Sequence, residues 1–132
     1  MGYNHWVPSD NVKALFEFIA YFESDGKKYD VSEELGFDPY RYHDQANHFI
    51  NLLYCSNIIV SFDWSNWSKE ANAYFNSPSL IVDADLITIR RLFTTIIRAD
   101  RFVSGYYAGK LDAGIVLILL KRLKILCDIN QN

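Results

Sequence analysis

Arg90, Arg91, Arg98 and Arg101 lie close together in the second half of the chain. With Thr94, three of them run i, i+4, i+8, i+11 (Arg90, Thr94, Arg98, Arg101), which is close to one stripe of an α-helix. A guanidinium is planar, permanently charged and presents a fork of donors that fits carboxylate or phosphate. Exposed, such a stripe is an anion-binding surface. Tyr106 and Tyr107 follow soon after and offer rings on which bases could stack. Trp64 and Trp67 are contact anchors wherever they reach the surface. These eight residues form the candidate binding set. A plainer reading competes with it. Arg98-Ala99-Asp100-Arg101-Phe102 reads as a helix end whose charges lock to Asp63 or other N-terminal acids, and Asp100 then serves as a local partner or as the cap of the next helix.

Other chemistry finds less support. Asp44 and His48 are four apart and could share a helix face, with His43 adjacent, but no residue suggests itself as the third ligand a metal site needs. Gly105-Tyr106-Tyr107-Ala108-Gly109-Lys110 falls one residue short of a phosphate loop, and Leu111 stands where Ser or Thr would bind magnesium. There is no G-x-S-x-G, H-E-x-x-H or C-x-x-C pattern. Carboxylates are plentiful, yet none is singled out as an acid pair. No cofactor or metal is expected, and the reading leans away from an enzyme.

The chain that must position these residues has 132 amino acids, half of them apolar and 22% charged. That is one globular domain, residues 1–132, too apolar to be disordered. Two cysteines exclude a disulfide scaffold, and both Cys55 and Cys127 read as buried small hydrophobes. The first residues lack a basic region followed by an apolar one, and the longest apolar run, Ala113 to Leu120, is far shorter than the roughly 20 residues of a spanning helix. A cytoplasmic protein without membrane contact is expected. Net charge is −3, but residues 1–85 carry −8 and residues 86–132 carry +5. Such a split suits an anionic partner, or packing of one half on the other within or between copies. Aromatic residues make up 16% of the chain, so most of them must be core.

Periodicity predicts an all-α bundle of about five helices. The first opens at Ser9 or Asp10 and carries Val12, Leu15, Phe16, Ile19 and Phe22. Val31 to Gly36 reads as a short helical turn. Asp38-Pro39 opens a second helix through Ala46, Phe49, Ile50, Leu53 and Tyr54, ending near Asn57. Ile58 to Phe62 reads as a buried extended connection. Asp63 precedes a third helix with Trp64, Trp67, Ala71, Tyr74 and Phe75, broken at Asn76-Ser77-Pro78. Asp83 or Asp85 caps the fourth and clearest helix, whose stripe is Leu86, Ile89, Leu92, Phe93, Ile96 and Ile97. Gly105 and Gly109 bracket a turn or short helix. The last helix, about Asp112 to Leu126, is apolar on every side at 115–120 and therefore central.

Phe62-Asp63-Trp64-x-x-Trp67, Ala84-Asp85-Leu86-x-x-Ile89-Arg90-Arg91-Leu92, Ile97-Arg98-Ala99-Asp100-Arg101-Phe102, Gly105, Gly114 and Leu119-Leu120-x-Arg122-Leu123 carry a resemblance. Over roughly residues 58–126 the chain resembles an uncharacterised bacterial family, a domain of unknown function. The resemblance implies a small helical protein and supplies no activity or cofactor. The first 57 residues show no motif of it.

The sequence thus points first to a non-enzymatic interaction module that binds another protein or itself, a homodimer included. The alternatives are a nucleic-acid binder using the arginine stripe, and an enzyme with a carboxylate or arginine site joined to Asp63, Trp64 or Trp67.

Overall fold

The computed structural model describes residues 10–32 and 38–130. Seven α-helices and a two-stranded sheet follow in the order α1 (Asp10–Phe16), α2 (Phe18–Glu23), β1 (Tyr29–Val31), β2 (Tyr40–Tyr42), α3 (Asp44–Cys55), α4 (Ser68–Asn76), α5 (Leu86–Asp100), α6 (Tyr106–Asp112) and α7 (Ile115–Asn130), with a 3-10 helix at Pro78–Asp83 between α4 and α5. The protein is mostly helical, with more helices than five.

The sheet is the main departure from the periodicity. β1 and β2 pair antiparallel, Tyr29 opposite Tyr42 and Val31 opposite Tyr40. Three consecutive alternating residues are too few to register against a helical background, and cross-strand tyrosines supply the packing that fixes them. Val31 therefore ends a strand rather than starting a turn, and residues 33–36 of that expected turn lie outside the described residues. Asp38-Pro39 leads into β2, and α3 begins only at Asp44. Pro8 and Ser9 also lie outside the described residues. The expected first helix breaks at Glu17 into α1 and α2.

Elsewhere local chemistry and fold agree. Asn57 follows α3 at φ 61, in the left-handed region that asparagine tolerates. The Asp85 carboxylate accepts from the Thr88 amide at 2.9 Å and caps α5, which holds its pKa below the ordinary value. Pro78 starts the 3-10 helix directly after α4. The core gathers on α5 and α7. Ile89, Leu92, Phe93, Ile96 and Ile97 of α5 meet Ile115, Val116, Leu119, Leu120 and Leu123 of α7, with Leu15, Phe49, Leu53, Ile58 and Ile81 closing around them. α7 touches α1, α2, α5, α6 and the 3-10 helix, as its apolar run requires. It nevertheless leaves Ile125 and Ile129 exposed. Cys127 is buried and Cys55 is exposed, so only one cysteine is the core residue expected of both. Among the described residues no helix is long and apolar enough to cross a membrane.

Candidate arginine and aromatic groove

The connection between α3 and α4 decides where the arginines go. Ile58 is fully buried and anchors it. The Thr94 hydroxyl donates to the Arg90 carbonyl at 2.8 Å and accepts the Val60 amide at 3.0 Å. Thr94 is thus no ligand-binding member of the stripe. It clips an irregular segment along the side of α5, where a strand partner is lacking. Asp63 then accepts from the Ser65 hydroxyl at 2.9 Å and the Asn66 amide at 3.3 Å, folding residues 64–67 into a turn ahead of α4. Trp64 and Trp67 therefore sit in that turn and not on the helix expected to carry them. The tight side-chain fork of Asp63 onto Ser65 and Asn66 favoured the turn over helix continuation.

All four arginines line this connection. Arg90 donates to the Asn57 carbonyl at 2.6 Å, and partial burial lowers its pKa. The Arg91 guanidinium lies 5.3 Å from the centre of the Phe62 ring. Arg98 lies 5.8 Å from the Tyr54 ring centre, and Arg101 reaches the Tyr54 hydroxyl at 3.5 Å. Val60, Ser61, Phe62 and Trp64 on one side, and Arg98, Arg101 and Phe102 on the other, enclose an open groove of about 300 Å³. Trp64 and Phe102 stack at its mouth with centroids 5.9 Å apart and planes 29° apart. Phe102 is 77% exposed, the most exposed of the large apolar side chains described.

Among the described residues no carboxylate forms an ion pair with the arginine cluster. The salt bridges of the described residues join Lys27 to Asp112, His43 to Asp30, Lys121 to Glu23 and Lys124 to Asp128. None involves Arg90, Arg91, Arg98 or Arg101. Asp63 is occupied by its own turn. Asp100 points the other way: its Oδ1 accepts from the Tyr42 hydroxyl at 2.8 Å and the Tyr107 amide at 2.9 Å, so it caps α6, as one sequence reading had it. Burial and this carboxylate together hold the Tyr42 phenol far above its ordinary pKa.

The tyrosines separate from the set. Tyr107 is fully buried and donates to the Ala46 carbonyl at 3.0 Å, so it is core and cannot stack on a ligand. Its i, i+1 neighbour Tyr106 is half-buried under the Lys110 ammonium, 4.6 Å from the ring centre, and lines no part of the groove. Trp67 packs edge-on against Phe62 and the core, supporting the groove wall from behind. What sequence reasoning missed is Phe102, Phe62 and Tyr54. Phe102 was legible as a large apolar residue directly after a helix end. In sequence Phe62 reads only as the end of a buried extended connection and as part of the family-like motif, and Tyr54 only as a member of a core stripe.

Among the described residues no cluster of three His, Cys, Asp or Glu could hold a metal. His43 is paired with Asp30 at 3.2 Å, and the His48 ring lies 5.9 Å from that of Phe18. The groove can offer two forked cations and a flat apolar shelf, and contains no nucleophile with a base beside it.

A sequence model of a family of unknown function, DUF6508, matches residues 7–128, which extends the likeness over most of the first 57 residues as well. No curated protein matches the chain, and no solved structure does.

Proposed function

The chain belongs to the DUF6508 family of unknown function, and we propose that it is a non-enzymatic interaction module whose groove receives a short acidic, aromatic-bearing segment of a partner protein. The observation that carries this reading is the pairing of Arg98 and Arg101, unneutralised by any described carboxylate, with the Trp64–Phe102 stack, in which Trp64 is half-buried and Phe102 exposed. A guanidinium fork matches a carboxylate bidentately, and a flat aromatic shelf supplies apolar contact area at low entropic cost.

Nucleic acid is the second reading, because an arginine beside a stacked ring pair also suits a single strand. The charge layout favours the first. Tight phosphate binding draws on roughly six to ten contacts. Here Arg90 is committed to the Asn57 carbonyl, and of the four arginines only Arg98 and Arg101 line the groove, on a chain of net charge −3. Two forks answer one or two carboxylates.

The test is fluorescence anisotropy with a labelled Asp/Glu peptide carrying one Phe or Trp, against single-stranded DNA and RNA of equal charge, at low and physiological salt. The peptide is expected to bind at physiological salt and to be lost in the Arg98→Ala/Arg101→Ala double variant. Tighter binding of an oligonucleotide, or peptide binding indifferent to the double variant, refutes the reading.

A further inference from the structure

The outer face of α7 carries an apolar row that the described residues cover at Ile118 and leave open toward its C-terminal end. Ile118, Arg122, Ile125 and Ile129 succeed one another by four, three and four residues, the spacing of a coiled-coil seam, over about 17 Å of helix. Ile125 is 49% and Ile129 60% exposed. Val82, from the neighbouring 3-10 helix, closes a shallow groove of about 200 Å³ with Ile118, Lys121, Arg122 and Ile125, and the lining surface is wholly apolar, the stems of the two cations included. Arg122 does not spoil the seam. Its Nε donates to the Ala84 carbonyl at 2.8 Å, which folds the charge back onto its own chain.

We propose that this face pairs with the same face of a second copy, α7 against α7, antiparallel about a two-fold axis. The argument is self-complementary charge. Aligning the seam so that Ile118 meets the partner's Ile129 and Arg122 meets the partner's Ile125 fixes the register. In an antiparallel pair the residues flanking the seam on one edge meet the same edge of the partner. On that edge stand Lys121 and Asp128. The register sets Lys121 against the partner's Asp128, and the two-fold repeats the pair. A parallel arrangement would set that edge against the opposite one, Leu119 and Leu126, and form neither pair. Within one copy Lys121 holds Glu23 at 3.0 Å and Lys124 holds Asp128 at 3.7 Å, both exposed, so the cross-pairs extend an alternating row of charge.

The test is the mass of the full chain by size exclusion with light scattering over a wide concentration range. Twice 15.3 kDa is expected at high concentration. Ile125→Asp should weaken association by about tenfold or more with unchanged far-ultraviolet circular dichroism, the effect of removing one buried anchor. Lys121→Asp and Asp128→Lys should each weaken it by about threefold, and the double exchange should restore it. A monomer at every concentration overturns the proposal; if that monomer floats with phosphatidylcholine–phosphatidylglycerol vesicles, the face belongs to a membrane surface. A dimer indifferent to Ile125→Asp, or single charge variants that the double exchange fails to rescue, also overturns it.

Discussion

Gly105 holds the turn that carries Phe102 to the groove, and replacing it with alanine should be costly for two separable reasons. Its φ of 80° lies in the left-handed region, where an alanine costs about 1 kcal/mol. A Cβ there would also overlap Cε2 and Cζ of Tyr40 and lie 2.9 Å from its Cδ2. The ring must swing away, giving up its packing on Tyr29, whose centroid is 5.6 Å distant. Losing an aromatic pair costs about 0.5–1.5 kcal/mol. Together the two effects predict a loss of about 1.5–2.5 kcal/mol, or about 7 °C in melting temperature for a chain of this length. Urea unfolding measures it. Gly114 provides the control, because its φ is 77° yet a Cβ there would meet nothing within 4 Å. Gly114→Ala should therefore lose only the backbone part, about 1 kcal/mol. In a Tyr40→Ala background Gly105→Ala should fall to the same value. If Gly105→Ala is no worse than Gly114→Ala, or if removing Tyr40 leaves its cost unchanged, the close packing of β2 on this turn is refuted.

Asp85→Ala should cost about 1 kcal/mol at neutral pH through the lost cap of α5. Because the folded carboxylate has a lowered pKa, the capping stability is full above the ordinary value of 3.8 and disappears as pH falls through the lower folded value, so wild type and variant should converge in strong acid in urea titrations. Burial pushes the Cys127 thiol up to about 11, so iodoacetamide at neutral pH should label exposed Cys55 first and Cys127 only on unfolding; equal rates would place Cys127 outside the core. Tyr107→Phe should lose about 1 kcal/mol by leaving the Ala46 carbonyl without its donor, and a neutral result would contradict the buried hydrogen bond.

The helical half of the fold was legible because its signals are local and strong. Asp85 caps α5, Asn57 turns left-handed after α3, and the stripe from Leu86 to Ile97 faces the core. The strands were not legible, since three residues each carry too little period and Tyr40 and Tyr42 find their reasons far away in sequence, in Tyr29 and Val31 across the sheet and in Asp100 and the Gly105 turn. The site was half visible. Arginines at helical spacing announced a basic edge. Their freedom from carboxylates could not be read, because it depends on Asp63 turning to Ser65 and Asn66 and on Asp100 turning to Tyr42 and Tyr107. Tyr106 and Tyr107 looked equivalent in sequence, but a rotation of 100° per residue put one beneath Lys110 and the other in the core.

The groove itself is tested most directly by photo-crosslinking from its rim. Phe102 is exposed and aromatic, so benzoylphenylalanine at that position replaces one ring with a larger one at little structural cost. Irradiation in the native host should yield a discrete protein adduct, mapped to an acidic segment of the partner and abolished by Arg98→Glu/Arg101→Glu. An adduct destroyed by nuclease, or a protein adduct that survives the charge reversal, would contradict the account.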